Sequence, residues 1–222
     1  MAQVIYDQDT IEFAENPEPR CPCVLLLDTS GSMQGSPIVA LNDGIGLFVK
    51  AISKDPLAAR RVDVALVTFD NAVNVVQPFI SVSRFMPPRL TASGETSMGP
   101  AIHKALDMIA DRRDVYAKNG IASFSPWVLM ITDGELHGEM NELALKAAKR
   151  IKAAEESRQL AFYAVGVQNA NMDRLAELVV RKPLKLSGLD FTKMFLWLSA
   201  SIQMATHSVD ANRIQSPSNT EL

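Results

Sequence analysis

The segment Cys23–Met33 (CVLLLDTSGSM) constrains the fold of this chain more than any other. An unbroken apolar run, Cys23 to Leu27, stops at Asp28 and is followed by Thr29, Ser30, Gly31 and Ser32. Apolar runs without polar alternation suit a parallel strand covered on both faces. The polar residues then fall at the carboxyl end of that strand, where open α/β sheets place their ligands. One carboxylate and two hydroxyls within five residues are oxygen donors suited to a hard cation such as Mg²⁺. A thiol- or imidazole-rich cluster would point to zinc, and the sequence shows none.

Helical and strand patterns alternate along the rest of the chain. A first strand is expected over 22–27. Pro37 suits the first turn of a helix, and Ile38, Leu41, Ile45, Phe48, Val49 and Ile52 mark its buried face. Two strands over 61–70 and 72–80 are separated only by Asp70–Asn71, so they must form an antiparallel hairpin rather than a crossover. A Gly/Ser/Thr-rich loop over 90–99 leads into a helix carrying Ile102, Leu106 and Ile109. A second unbroken apolar run, over 126–132, ends in Asp133. Beyond it lie a helix over 138–158, a strand over 160–167, a short helix over 172–181, a short strand over 184–186 and a last helix over 190–207 with Asp190 as its cap.

This order predicts a doubly wound α/β fold: a mostly parallel sheet with one antiparallel edge strand and helices on both faces. Residues 1–20 are expected to form an extended arm, with Pro17 and Pro19 opposing helix. One domain spans 21–207, and the apolar-poor segment 208–222 reads as a flexible tail.

Composition narrows the function classes. A formal net charge of −3 gives no nucleic-acid footprint. The basic pairs Arg60–Arg61, Arg112–Arg113 and Lys149–Arg150 read as solvated faces, and Asp43 and Asp63 as exposed. No secretory leader and no bilayer-spanning segment is visible, so the expectation is a cytoplasmic protein without a membrane partner. Cys21 and Cys23, two apart on one strand, are poorly placed for a disulfide and read as reduced thiols. His103 and His207 read as surface residues on helices.

If the two apolar runs are neighbours in the sheet, Asp28 and Asp133 converge at one edge. The Gly/Ser/Thr-rich loop around 91–97 lies just before a helix N-terminus and reaches the same edge, bringing Thr96, with Thr91 a competing candidate. Met33 and Met98, beside these residues, read as packing, or else as an apolar rim around an ion. Glu135, after the Thr-Asp-Gly motif, reads either as a hydrogen-bond acceptor behind the metal ligands or as a solvated turn residue, and His137 near the same site reads as a surface histidine.

Asp28-x-Ser30-x-Ser32, then Thr96 within Gly94–Gly99, then Thr132–Asp133–Gly134 resemble the three-part metal-ion-dependent adhesion site of von Willebrand factor A domains. The resemblance covers about 21–208. Within that superfamily the segments 25–33, 37–38 and 132–135 are similar to small bacterial proteins of the tellurite-resistance TerY and YegL type. It implies an Mg²⁺ (or Mn²⁺ or Ca²⁺) on the hydroxyls of Ser30, Ser32 and Thr96. Asp28 and Asp133 would bind directly or through water, and one position would stay open for a partner's Asp or Glu.

The implied role is a protein-binding module without catalytic residues or a small-molecule substrate, in bacterial stress response or phosphorylation-linked signalling. Its partners would be of kinase or phosphatase type. Alternatives are an adaptor for an AAA+ ATPase and a metal-assisted phosphohydrolase with Asp28 as nucleophile. The second lacks an Asp-x-Asp pair, a lysine in either metal loop and a phosphate-binding Gly-x4-Gly-Lys. A further expectation is that Asp210 or Glu221 of the tail docks on the ion.

Overall fold

The computed structural model describes residues 8–133, 142–167, 170–186 and 189–207. In chain order the elements are α1 (Gln8–Glu15), β1 (Cys21–Asp28), α2 (Ser36–Ser53), α3 (Pro56–Arg61), β2 (Val62–Phe69) and β3 (Val73–Ser81). There follow α4 (Met98–Lys118), β4 (Trp127–Thr132), α5 (Glu142–Glu156), β5 (Ala161–Gly166), α6 (Met172–Leu178), β6 (Leu184–Lys185) and α7 (Phe191–His207).

The six strands lie in the order β3-β2-β1-β4-β5-β6, with only β3 antiparallel to its neighbour. Every residue of β1, β2, β4 and β5 is buried, because helices cover both faces. Alternate residues of β1 serve opposite cores. Leu25 and Leu27 pack with Leu41, Phe48, Phe195 and Leu198, from α2 and α7. Val24 and Leu26 pack with Ile102, Ala105, Ala147 and Ile151, from α4 and α5. At the edge, β3 alternates half-buried and exposed residues and carries the exposed Pro78, as an edge strand tolerates.

Two glycines permit close helix contacts. A Cβ on Gly44 would lie 2.5 Å from the Phe195 ring, so α2 and α7 meet there without a side chain between them. A Cβ on Gly99 would lie 2.9 Å from the backbone nitrogen of Ala144, so α4 and α5 touch at their first turns.

Two expectations are corrected, and one short helix is added to those the sequence predicts. The segment 1–20 is not wholly extended, because 8–15 is helical; Pro17 disfavours helix at the residue before it and so ends α1 instead of preventing it. The short helix α3 was not anticipated; Asp55 caps it by accepting from Leu57 N (3.0 Å) and Ala58 N (3.1 Å), and Pro56 occupies its first position. Asp63 and Arg112 are buried, not solvated. Met33 and Met98 are buried and serve as packing residues, the first of the two readings open for them. Asp43 is exposed, Cys21 and Cys23 are buried free thiols, and Asp190 Oδ1 accepts from Lys193 N (3.1 Å). Burial pushes the Cys23 thiol up to about 12 and the Cys21 thiol well above its ordinary value, so neither is a thiolate at neutral pH. Glu135, His137, Asp210 and Glu221 lie outside the described residues.

Asp63 sits at the amino end of β2 in a charge cluster. Arg20 Nη1 donates to its Oδ1 (3.1 Å), while Arg112 Nη2 (2.9 Å) and Tyr116 Oη (2.6 Å) donate to its Oδ2. Glu12 of α1 approaches Arg20 (3.5 Å), and the Phe13 ring lies under both guanidinium groups and edge-on to Tyr116. Arg84 also pairs with Glu12 from outside the cluster (3.2 Å). Such a cluster is costly to break, since deleting one partner of a buried pair typically costs about 3–5 kcal/mol.

Candidate metal centre

At the opposite, carboxyl edge of the sheet, Asp28 is the last residue of β1 and fully buried. β1 and β4 run in parallel register, with Leu27 beside Ile131, so the next residues, Asp28 and Thr132, are neighbours. Thr132 Oγ1 donates to Asp28 Oδ2 (2.6 Å). On the other side Ser30 N donates to Asp28 Oδ1 (2.9 Å), the local turn that an Asp side chain forms with the backbone two residues on. A single 3₁₀ turn, Gly31–Met33, then folds the chain back and brings the Ser30 and Ser32 hydroxyls to 3.1 Å of each other.

The loop bearing Thr96 is hooked onto this turn. Ser93 N donates to Thr29 O (2.7 Å), and Gly31 N donates to Gly94 O (2.8 Å). Gly94 has φ +81°, a conformation L side chains rarely adopt, and its α-carbon faces the Asn71 amide, which a Cβ would approach to 2.8 Å. Asn71 Oδ1 accepts from Glu95 N (2.6 Å). Thr96 follows, half-buried, and α4 starts two residues later. Thr91, the competing candidate, is exposed near the base of the loop, next to Leu90, whose N–H and C=O both bond the Asn42 side chain of α2. Asp133 is buried just beyond Thr132.

Asp28, Ser30 and Ser32 are thus gathered directly. Thr96 arrives on a loop tied to their turn, and Asp133 on the adjoining strand end. Two contributors had no role at the level of sequence: Thr132, which holds Asp28, and Asn71, which holds the Thr96 loop. The Thr-Asp-Gly and Asp-Asn wording carried both residues, but only strand register shows whom they touch.

The electrostatics suit a cation. The Asp28 carboxyl is pushed up to about 6: burial raises it most, hydrogen bonds from Ser30 and Thr132 offset part of that rise, and the nearby Asp133 adds to it. Among the described residues no Lys or Arg pairs with Asp28. Nor do those residues contain a cluster of three or more His, Cys, Asp or Glu, so an ion here would rest on hydroxyls beside carboxylates. That donor set fits Mg²⁺ and does not fit zinc.

The family model for the von Willebrand factor type A domain matches residues 23–186, most of the 222-residue chain. The chain belongs to the von Willebrand factor type A domain family. Domains of this family are generally metal-dependent protein-interaction modules. Among curated proteins, none matches the sequence.

Solved structures share the fold. A von Willebrand factor type A protein from Catenulispora acidiphila matches with TM-score 0.62 at 15% identity, covering 83% of this chain and 43% of that one. The pilus adhesin SpaC from Lactobacillus rhamnosus GG gives 0.63 at 14% identity, over 83% of this chain and 30% of the adhesin. BatB from Bacteroides thetaiotaomicron gives 0.58 at 18% identity, over 85% of this chain and 100% of BatB. This von Willebrand factor A chain therefore spans less than half the length of the first two. No helix among its described residues is long and apolar enough to cross a membrane.

Proposed function

We propose that this von Willebrand factor A domain is a binding module that holds Mg²⁺ on Ser30, Ser32 and Thr96, with Asp28 and Asp133 direct or through water. A partner protein would complete the site with an Asp or Glu. One observation carries the reading: the Ser30 and Ser32 hydroxyls stand 3.1 Å apart on a turn pinned to Asp28. They are placed to touch one ion. The bound ion would supply an electrophilic point for a carboxylate, because hydroxyl ligands leave its charge only partly cancelled. The chain's own part is positional. Thr132 and the Ser30 N–H fix the Asp28 rotamer, and the Gly31–Gly94 bond fixes the distance between the two hydroxyl-bearing loops.

The finer assignment is a cytoplasmic bacterial protein of the TerY and YegL type, acting in stress response or phosphorylation-linked signalling beside kinase- or phosphatase-type partners, and not an enzyme. It is supported by the wording of segments 25–33 and 132–135. Calorimetric titration of Mg²⁺ or Mn²⁺ tests the site. Ser32→Ala and Thr96→Ala should each weaken binding at least about tenfold while unfolding remains cooperative. Unchanged affinity in both would refute the ligand set. Affinity purification with and without chelator then tests the partner.

A further inference from the structure

The first turns of α4 and α5 meet at Gly99 and Ala144, next to the edge that holds Thr96 and Asp28. From that point the two helices run away from the edge side by side, and a groove of about 490 Å³ opens between them. Pro100, His103, Lys104 and Asp107 line it from α4; Leu143, Lys146 and Arg150 line it from α5. Three cations and one anion line it, and with Glu142 paired to Lys146 at its edge the groove keeps one net positive charge, on a chain whose formal charge is −3.

The groove's polar groups are ordered. Arg150 Nη2 donates to Asp107 Oδ1 (2.6 Å), and its Nη1 donates to His103 Nδ1 (2.9 Å). His103 Nε2 can then donate to Leu143 O (3.2 Å), which assigns the neutral tautomer protonated at Nε2. Lys146 pairs with Glu142 (2.6 Å), but both side chains are more than half exposed, so that pair exchanges readily. Lys104 is exposed and pairs with nothing among the described residues. Leu143 is 48% exposed and offers an apolar contact at the mouth.

We propose that this groove is the second half of the partner footprint. It takes an acidic side chain of the same partner segment that brings a carboxylate to Ser30, Ser32 and Thr96. The inference rests on the metal reading above and names the partner's chemistry: an acidic peptide segment. Its spacing follows from the helix. At 1.5 Å per residue from Met98 and at most ~3.3 Å per residue before it, Lys104 lies up to ~15 Å from Thr96. An extended strand spans that in about three to five residues. The partner segment thus carries acidic residues about three to five positions apart.

The test uses the ¹⁵N-labelled full chain with two probes, N-acetyl-glutamate amide and an octa-glutamate peptide, in Mg²⁺ and after chelator. With octa-glutamate, the amides of Lys104, Lys146 and Arg150 should shift together with those of Gly31 and Thr96. The single glutamate should move Gly31 and Thr96 only. Lys104→Glu with Lys146→Glu, both at exposed sites, should weaken octa-glutamate at least about fivefold and leave the single-glutamate response intact.

Octa-glutamate bound equally by the double variant, or without shifts in the groove, overturns the inference. The metal reading then still stands if chelator abolishes the Gly31 and Thr96 shifts. Chelator without effect on either probe overturns the metal reading and the two-point grip with it. A single-stranded oligonucleotide that binds the groove more tightly than octa-glutamate overturns the acidic-peptide assignment.

Discussion

The two ends of the central sheet each bury an aspartate, and they treat it oppositely. Asp63, at the amino end, is met by two guanidinium groups and a phenol, all from this chain. Asp28, at the carboxyl end, is met by a backbone N–H and a threonine hydroxyl, both neutral, with a second carboxylate at the next strand end. Burial of a charge is tolerated only when something compensates it. The Asp63 end supplies its own compensation and is closed. The Asp28 end does not, and the charge it leaves is what an incoming cation would answer. An internal salt cluster is thus a mark of scaffold, while an aspartate held by neutral donors is a mark of a site.

Substitutions at the two ends should separate these roles. Asp63→Ala removes the buried carboxylate that Arg20 and Arg112 share and should cost about 3–5 kcal/mol in urea unfolding; a loss below about 1 kcal/mol would erase the contrast. Asp28→Asn removes charge but keeps shape. It should leave metal-free stability within about 1 kcal/mol, yet abolish the rise in Tm with Mg²⁺, which amounts to about 2.7 kcal/mol at a hundredfold excess over Kd.

Thr132→Val should be intermediate. It leaves one Asp28 oxygen without its donor, at a cost of about 1–2 kcal/mol, and should weaken Mg²⁺ about tenfold by calorimetry. Wild-type Mg²⁺ affinity in that variant would show that Thr132 does not position Asp28.

The smallest effect belongs to Asp55, a half-buried aspartate that does an ordinary capping job. Slight burial raises its carboxyl, but hydrogen bonds from Ala58 N, His207 and Leu57 N outweigh this and leave it lowered. A lowered folded-state value means the contribution is present above the unfolded-state pKa and lost as pH falls through the folded one. Asp55→Ala should therefore cost about 1 kcal/mol at neutral pH, shrinking toward nothing in acid. A pH-independent difference would assign the loss to packing instead of charge.

What could be read from sequence follows the same division. β1 and β4 announce themselves because strands covered on both faces lose their alternation, and each run ends at a carboxylate. The short connection around Asp70–Asn71, three residues in the fold, leaves no option but a hairpin. Helix α1 is not legible in the sequence because Pro17 and Pro19 oppose helix only at and next to their own positions, while residues 8–15 lie clear of them. Asp63 was misplaced because its partners lie 43, 49 and 53 residues away, so no local pattern signals them. The roles of Thr132 and Asn71 were hidden for a related reason. Each depends on which strand or loop becomes a neighbour, and that is decided by register.

Gly99 carries a final consequence. Because its missing side chain lets α4 and α5 touch, the helix that begins two residues after Thr96 rests directly on its neighbour's backbone. A methyl group there would push on the Ala144 backbone and displace the first turn of α4. The placing of Thr96 thus has its tolerance set by a glycine three residues further on.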